Sequence, residues 1–191
     1  MNEDTDHMWR KFKAIFTQES AESLAPDPVT IELLGTTYRL RPMTEQDIDA
    51  ALVIEREIYH DLPWDRLAFM SELRRVSRNV YLVLTTPEDG VVAFIGSWFT
   101  QKEAHITNIA VAPSFQHRGI GRFLMQLMLD RAKAYGSEKM TLEVRTDNEV
   151  AKHLYTQLGF LPGKIKKGYY VSTHGDALDM WQTLETEGDQ Q

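Results

Sequence analysis

The stretch most suggestive of chemistry is Gln116-His117-Arg118-Gly119-Ile120-Gly121, between an extended segment ending at Ala112 and an amphipathic segment of about 119–135. Glycine lets the backbone approach a ligand closely, and the first turn of a helix leaves its N–H groups without intrahelical acceptors. A junction of this kind is suited to bind a pyrophosphate. Arg118 and Arg122 would add positive charge to such a site.

Two better-known phosphate motifs do not fit this stretch. A Walker loop ends in Gly-Lys-Ser/Thr, which is absent here. A dinucleotide fingerprint needs a third glycine three residues after the second, where this sequence has Leu124. A flexible strand-to-helix turn without a ligand is the other interpretation, and the stretch alone does not decide between the two.

The composition excludes several other kinds of site. The chain of 191 residues has no cysteine, which excludes disulfides, thiolate zinc sites and a cysteine nucleophile. It also lacks a Gly-x-Ser-x-Gly elbow, so a covalent acyl-enzyme is not expected. The six histidines include no pair at metal-ligand spacing, and we therefore expect no metal.

The net charge of −7 is concentrated near the two ends of the chain. Residues 1–28 carry six acidic and three basic side chains, and residues 185–191 carry three acidic ones, which leaves residues 29–184 close to neutral. Non-specific nucleic-acid binding relies on lysine and arginine, so nucleic acid is not an expected partner.

We predict three parts of the chain: an N-terminal extension and linker (1–28), a globular domain (29–184) and an acidic tail (185–191). The linker prediction rests on residues 19–30, which are polar and contain two prolines. The longest apolar run, Val91 to Ile95, is too short to span a bilayer. The start Asn2-Glu3-Asp4-Thr5-Asp6 lacks the basic and apolar regions of a secretory signal, so a cytoplasmic protein is expected.

Alternating strand and helix patterns begin at about residue 37 and predict an α/β fold with a mixed sheet. Thr44, with Asp47 three residues later, predicts a helix N-terminus. The turn at 87–90 predicts an antiparallel hairpin between its flanking strands. Predicted strands are 80–85, 91–100, 104–112, 139–145, 164–171 and 176–182, after one near 37–41, and predicted helices run to about 59, near 67–73, and over 119–135 and 148–158.

With the loop in this strand–helix context, the sequence resembles the GCN5-related N-acetyltransferases (GNAT), whose acetyl-CoA loop reads Gln/Arg-x-x-Gly-x-Gly/Ala. The resemblance covers roughly residues 37–183. It implies the GNAT fold, a central mixed antiparallel and parallel sheet flanked by helices, and acetyl-CoA as co-substrate. By resemblance, the coenzyme would contact Ile109, Ala110, Val111, Gln116, His117, Arg118, Gly119, Ile120, Gly121, Arg122, Asn148 and Tyr155.

Several segments look specifically like the RimI branch, which acetylates the N-terminal alanine of a ribosomal protein. They are Pro63-Trp64, Asn108-Ile109-Ala110-Val111, Leu142-Glu143-Val144-Arg145 with Asn148, 154–160 (LYTQLGF), and Tyr169-Tyr170 followed by Asp176-Ala177. Val171 departs from the proline usual in this branch, which affects the expected shape of the last hairpin.

The resemblance also assigns catalytic roles. Glu143 would be the general base, acting directly or through a water, and Tyr155 the general acid that protonates the thiolate. The backbone N–H of Val111 would bind the oxyanion. Trp64, Glu143, Tyr169 and Tyr170 would contact the acceptor.

The predicted acceptor is the basic N-terminus of a ribosomal protein, attacking the thioester directly in a ternary complex. Residues 44–65 contain seven acidic side chains and one basic one, and we expect them to attract such a peptide. Two alternatives keep the fold but change the function: acetylation of a small-molecule amine, or a non-catalytic module that senses acetyl-CoA.

Overall fold

The computed structural model describes residues 25–59, 64–171 and 173–184. The predicted extension up to residue 24, the acidic tail 185–191 and the loop residues 61–63 lie outside them. Within the described part of the chain, no helix is long and apolar enough to cross a membrane.

An eight-stranded sheet forms the centre of the molecule, in the order β1-β2-β3-β4-β5-β6-β8-β7. The strands are β1 (Val29–Leu33), β2 (Thr36–Pro42), β3 (Asn79–Thr85), β4 (Val91–Phe99), β5 (Ala104–Val111), β6 (Lys139–Arg145), β7 (Leu161–Tyr170) and β8 (Gly175–Thr183). All neighbouring pairs are antiparallel except β5 and β6, which are parallel. The predicted mixed sheet is therefore confirmed.

The described residues form four α-helices, which cover the two faces of the sheet: α1 (Ile48–Tyr59), α2 (Arg66–Leu73), α3 (Ile120–Tyr135) and α4 (Glu149–Gln157). Apolar side chains of α1 and α2, such as Ile48 and Phe69, form one core with Phe94 of β4. Those of α3 and α4, such as Leu124 and Tyr155, form the other core. Because each helix buries one apolar stripe, a sheet with helices on both faces satisfies all four.

The predicted start of α1 is correct. The Asp47 carboxylate accepts hydrogen bonds from the backbone N–H and the hydroxyl of Thr44, at 2.8 and 2.9 Å. It also forms a two-point ion pair with the Arg41 guanidinium, at 2.8 Å for each contact. A single buried carboxylate thus joins the end of β2 to the helix, through a 3-10 turn at Glu45–Asp47.

Strand β1 was not predicted: it begins at Val29, where the polar segment 19–30 ends, and the first predicted strand lay near 37–41. Among the described strands, β1 pairs with β2 alone, in the register Val29↔Leu40 to Leu33↔Thr36. Ile31 and Leu33 are buried in the α3 side of the core. A five-residue edge strand that follows two prolines has few local signals, and burial against β2 decides its conformation.

Candidate active site

The predicted phosphate loop connects β5 to α3 through a 3-10 turn at Pro113–Phe115. Gly119 precedes the helix with a φ of 75°, and His117 has a φ of 60°, so two loop residues adopt the left-handed conformation. The Gln116 side-chain amide donates a 3.0 Å hydrogen bond to the Val111 carbonyl and ties the loop to the end of β5. Gly119 has no side chain to cap α3, which leaves the first-turn N–H groups available to an anion.

The two arginines near the loop, Arg118 and Arg122, each make side-chain contacts with neighbouring residues. Arg118 donates a 2.9 Å hydrogen bond to the Ser114 carbonyl, and its guanidinium lies 5.0 Å from the centre of the Phe115 ring. Arg122 bonds the Gln157 side chain on α4. Both arginines are exposed, so their charge is available to an anion bound at the loop.

A gap in the sheet opens next to this loop. Strands β5 and β6 pair only from Ala104↔Met140 to Ile106↔Leu142 and then separate. The Ala112 N–H donates to the Val92 carbonyl of β4 at 2.8 Å. Since backbone groups alternate along a strand, the amides of Ile109 and Val111 point the other way, into the gap.

A cavity of about 680 Å³ runs from the loop, along β5, to the opposite face of the sheet. It brings together most of the predicted site. The predicted residues that line it are Trp64, Ile109, Ala110, Val111, Gln116, His117, Gly119, Ile120, Gly121, Arg122, Glu143, Asn148, Tyr155 and Tyr170. Arg118 and Tyr169 are not among the lining residues.

Glu143 lies one residue beyond the last β5–β6 pair, on the α1 face of the sheet. Its Oε1 accepts a 2.6 Å contact from Lys166 Nζ, and its Oε2 lies 3.2 Å from His105 Nε2. Partial burial would raise its pKa, but the His105 and Lys166 contacts outweigh burial and lower the pKa to about 2. The carboxyl is therefore ionised at neutral pH, with both oxygens occupied.

Tyr155 lies on the opposite side of the gap, on α4. Its side chain is buried, and its ring centre is 6.0 Å from that of Phe160. Burial raises the pKa of the phenol, and the nearby phenols of Tyr59 and Tyr170 raise it further. A buried, neutral phenol beside the cavity can donate a proton, although it is a weaker acid than a free tyrosine.

Asn148 caps α4, as its position predicts: its Oδ1 accepts a 3.1 Å hydrogen bond from the Ala151 N–H. Ala151, Leu154 and Leu158 pack against the core. The sequence also places Val150 beside this apolar stripe and predicts that it packs, but its side chain is 71% exposed, so that prediction is wrong. Tyr155 lies on the same helix face as Ala151, Leu154 and Leu158, whereas Val150 is one residue off that face and points to solvent.

Aromatic and basic side chains surround the far end of the cavity. The Trp64 ring packs 5.3 Å from that of Phe69, and the Arg145 guanidinium lies 5.4 Å from the centre of the Tyr170 ring. Tyr169 is 46% exposed, and Lys166 Nζ lies 5.5 Å from the centre of its ring. Only the second of the paired tyrosines therefore faces the cavity.

Two polar side chains at this end of the cavity received no individual role in the sequence analysis: Glu55 was predicted only as one of the acids of residues 44–65, and Asn108 only as part of a RimI-like segment. Glu55 is 2% exposed, and burial raises its pKa to about 7. The signal was present in the sequence, because Glu55 lies on the otherwise apolar stripe of Ile48, Ala51 and Leu52. His105, which holds Glu143, gave no comparable signal.

The acids of residues 44–65 do not form one exposed surface. Asp47 binds Arg41, Asp49 lies 2.5 Å from Arg66 Nη1, and Asp65 caps α2 by accepting from the Ala68 N–H. Glu55 is inside the cavity, and Asp61 lies outside the described residues. Glu45 also lies 3.8 Å from the Arg74 guanidinium, so four of the seven acids have structural partners. Among the described residues, no group of three or more His, Asp or Glu side chains could hold a metal ion.

Comparison with known proteins identifies the family. A family model described as the acetyltransferase (GNAT) family matches residues 44–160, more than half of the chain. The chain belongs to this family. The acetyltransferase is 35% identical over 152 residues to a Bacillus subtilis protein, a match that covers 79% of this chain and 99% of the relative. It is 35% identical over 153 residues to the [ribosomal protein bS18]-alanine N-acetyltransferase of Salmonella typhimurium, covering 79% and 95% of the two chains.

Solved structures confirm the GNAT fold of the acetyltransferase. The ribosomal-protein-S18-alanine N-acetyltransferase from Escherichia coli superimposes with a TM-score of 0.70 at 29% identity, covering 81% of this chain and 98% of that one. Ard1 from Thermoplasma volcanium gives the same TM-score at 26% identity, over 78% and 98% of the two chains. The resemblance found in the sequence, both to the family and to its RimI branch, is confirmed.

Proposed function

We propose that this acetyltransferase transfers the acetyl group of acetyl-CoA to the α-amine of a ribosomal protein that begins with alanine, in the cytoplasm. The observation that carries the proposal is the cavity through the sheet. It joins the phosphate loop on one face to Glu55, Trp64 and Tyr170 on the other. Relatives named for this reaction on ribosomal protein bS18 are 35% identical over most of the chain.

The coenzyme is assigned to the loop and to β5. The backbone N–H groups at the start of α3, with Arg122, would bind the pyrophosphate. The pantetheine arm would extend along Ile109 and Val111, whose amides point into the gap and can form hydrogen bonds as a neighbouring strand would. Members of this family use acetyl-CoA, and the open strand edge beside an uncapped helix fits a ligand of that shape.

The acyl group is transferred by direct attack of the amine on the thioester. A protein α-amine has a pKa of about 8 and a lysine about 10.4, so deprotonating the α-amine costs about 3 kcal/mol less. This difference favours an N-terminus over a lysine as acceptor. The N–H of Val111 would donate to the developing oxyanion, a contact worth about 3 kcal/mol in other acyl transfers.

Protons leave the amine and reach the thiolate through two different side chains. Glu143 would accept the proton of the attacking amine through a bridging water, since its own oxygens are held by Lys166 and His105. Tyr155 would donate its phenolic proton to the leaving thiolate. The pKa of Tyr155 is raised by burial, so this step is uphill by more than the roughly 1.5 units that separate a free tyrosine from a thiol.

An assay of thiol release tests the proposal. The protein is incubated with acetyl-CoA and a panel of Ala-starting peptides, blocked lysine peptides and small amines. We expect turnover of the Ala-starting peptides, with at least a hundredfold loss of kcat in Glu143→Gln and Tyr155→Phe. Faster turnover of small amines than of peptides would show that the acceptor is a small molecule and not a protein N-terminus. Thermal stabilisation by acetyl-CoA without turnover of any acceptor would indicate a sensing module.

A further inference from the structure

The cavity contains a second carboxyl besides Glu143, and this one is not ion-paired. The Glu55 side chain is 98% buried, and its Oε2 has no hydrogen-bond partner among the described residues. It lies on α1, on the face of the sheet to which the side chain of Glu143 also points, and both residues line the same cavity. A carboxyl in this position is available to a ligand, whereas both oxygens of Glu143 are already in contact with Lys166 and His105.

Asn108 is the neighbour of Glu55 on β5. The Asn108 amide acts to lower the pKa of Glu55, as does the Trp64 backbone N–H. Neither Oδ1 nor Nδ2 of Asn108 makes a hydrogen bond of normal geometry with any described group. Asn108 pairs with Gly96 of β4, where an added Cβ would lie 2.7 Å from Asn108 Oδ1. Because Gly96 has no side chain, the Asn108 side chain has room beside it.

The two side chains together offer a defined set of hydrogen-bonding groups. Glu55 Oε2 and Asn108 Oδ1 are acceptors, and Asn108 Nδ2 is a donor. A chain terminus matches this set, because it carries an ammonium with three donors next to the carbonyl of its first residue. A lysine side chain presents the ammonium without the carbonyl. Buried polar groups without partners are rare, and a ligand that satisfies all of them would bind with selectivity.

We propose that Glu55 and Asn108 form the subsite for the acceptor's first residue, with Glu55 binding the α-ammonium and taking its first proton, and Asn108 binding the ammonium and the first carbonyl. This inference rests on the proposed function and names the groups that select its substrate. The proton passes from the ammonium to the Glu55 carboxylate, which leaves a neutral amine and a carboxylic acid. The amine nitrogen then bonds to the thioester carbon.

The proton balance gives each carboxyl a separate task. An ammonium loses two protons on becoming an amide: one before attack, to Glu55, and one from the tetrahedral adduct, to Glu143. Burial raises the pKa of Glu55 to about 7, close to the value of about 8 for an α-amine, so the first transfer is nearly balanced. The titratable groups near Glu55 are the phenols of Tyr59 and Tyr81, whose pKa values burial raises, so neither competes for this proton.

A binding experiment isolates the subsite from catalysis. Two peptides are compared in the presence of CoA, which permits no turnover: an Ala-starting hexapeptide and its des-amino analogue, in which a propionyl group replaces alanine. We expect the wild-type protein to bind the free amine at least tenfold more tightly at pH 7.5. In Glu55→Gln this preference should fall below twofold. The control is Glu88→Gln, an exposed acid in the turn between β3 and β4, which should keep the preference.

A second variant covers the case in which Glu55→Gln does not fold, which would appear as loss of the rise in Tm on adding acetyl-CoA. Asn108→Ala changes a different element and should reduce the same preference at least threefold. The inference is overturned if the wild type shows no preference for the free amine, or if Glu55→Gln folds and keeps it.

The binding readout also separates this inference from the proposed function. Loss of the preference in Glu55→Gln supports the subsite even if no acetyl transfer to Ala-starting peptides is found, in which case the proposed function fails alone. Turnover of such peptides by the wild type, with the preference unchanged in Glu55→Gln, overturns the subsite and leaves the function intact.

Discussion

Lys166 Nζ lies 2.6 Å from Glu143 Oε1 and 2.8 Å from Asp179 Oδ1, so one ammonium connects two carboxylates across three strands. Glu143 on β6 and Asp179 on β8 are direct neighbours in the sheet, and Lys166 approaches them from β7. Without the lysine, two like charges would face each other. His105 and this ammonium together keep Glu143 ionised, and the ammonium also holds this edge of the cavity together.

Lys166→Met should reduce stability in a pH-dependent way. The folded pKa of Glu143, about 2, is below its unfolded value, so the stability it contributes is present above about pH 4.5 and is lost as the pH falls towards 2. We expect the variant to lose about 1 kcal/mol of unfolding free energy at pH 7, since Lys166 is half-exposed and screened. Urea unfolding at pH 7 and pH 3 measures this, with Lys164→Met as control. An equal loss at both pH values would contradict the assignment.

Tyr155→Phe should remove the proton donor without disturbing the core, because the ring retains its contact with Phe160. We expect kcat to fall by about a hundredfold or more, and the KM for acetyl-CoA to stay within about twofold. Burial raises the pKa of Tyr155, so the phenol should remain protonated and the wild-type kcat should show no loss from its ionisation below pH 9. Tyr135→Phe, a half-exposed tyrosine on α3, is the control for stability.

Gly119→Ala should weaken acetyl-CoA binding through the backbone. Gly119 and Gly136 flank α3 with similar left-handed φ values, 75° and 85°, and an added Cβ at either position would meet no atom closer than 4.0 Å. Alanine at each should therefore cost a comparable 1–2 kcal/mol of stability, about the cost of a left-handed residue. Only Gly119→Ala should raise the Kd for acetyl-CoA, by about tenfold, in a titration by calorimetry. Equal Kd values in the two variants would mean that the loop around Gly119 does not bind the coenzyme.

Gly96→Ala should displace Asn108, which lines the cavity, and so reduce stability. The new methyl group would collide with the Tyr81 ring and with Asn108, and Tyr81 holds the Thr107 hydroxyl at 2.8 Å. We expect a loss of about 1–3 kcal/mol in unfolding free energy, as for other overpacked sites. Gly90→Ala, in the β3–β4 turn, has its closest contact at an ordinary 3.4 Å and serves as control. A thermal melt of both variants that showed no difference would mean that the space behind Asn108 can relax.

The local features of the fold could be predicted because neighbouring residues determine them. Thr44 and Asp47 specify a helix start within one turn, and the turn at 87–90 specifies a hairpin. The loop at 116–121 combines glycines with a strand–helix junction, and the structure has that arrangement. Strand β1 was missed because its conformation depends on pairing with β2 and not on its own five residues.

The sequence by itself determined which elements form and which residues belong to the coenzyme loop, because helix caps, turns and apolar periodicity depend on separations of a few residues. Only the tertiary structure decided the electrostatics of the acceptor end. Glu143 is ionised because Lys166, 23 residues later, and His105, 38 residues earlier, meet it in space. Glu55 has a raised pKa because α1 packs its carboxyl against β5, beside Asn108. Charges and burial act through space, so residues far apart in the chain set the pKa of each carboxyl. The spacing of residues along the sequence therefore does not predict these pKa values.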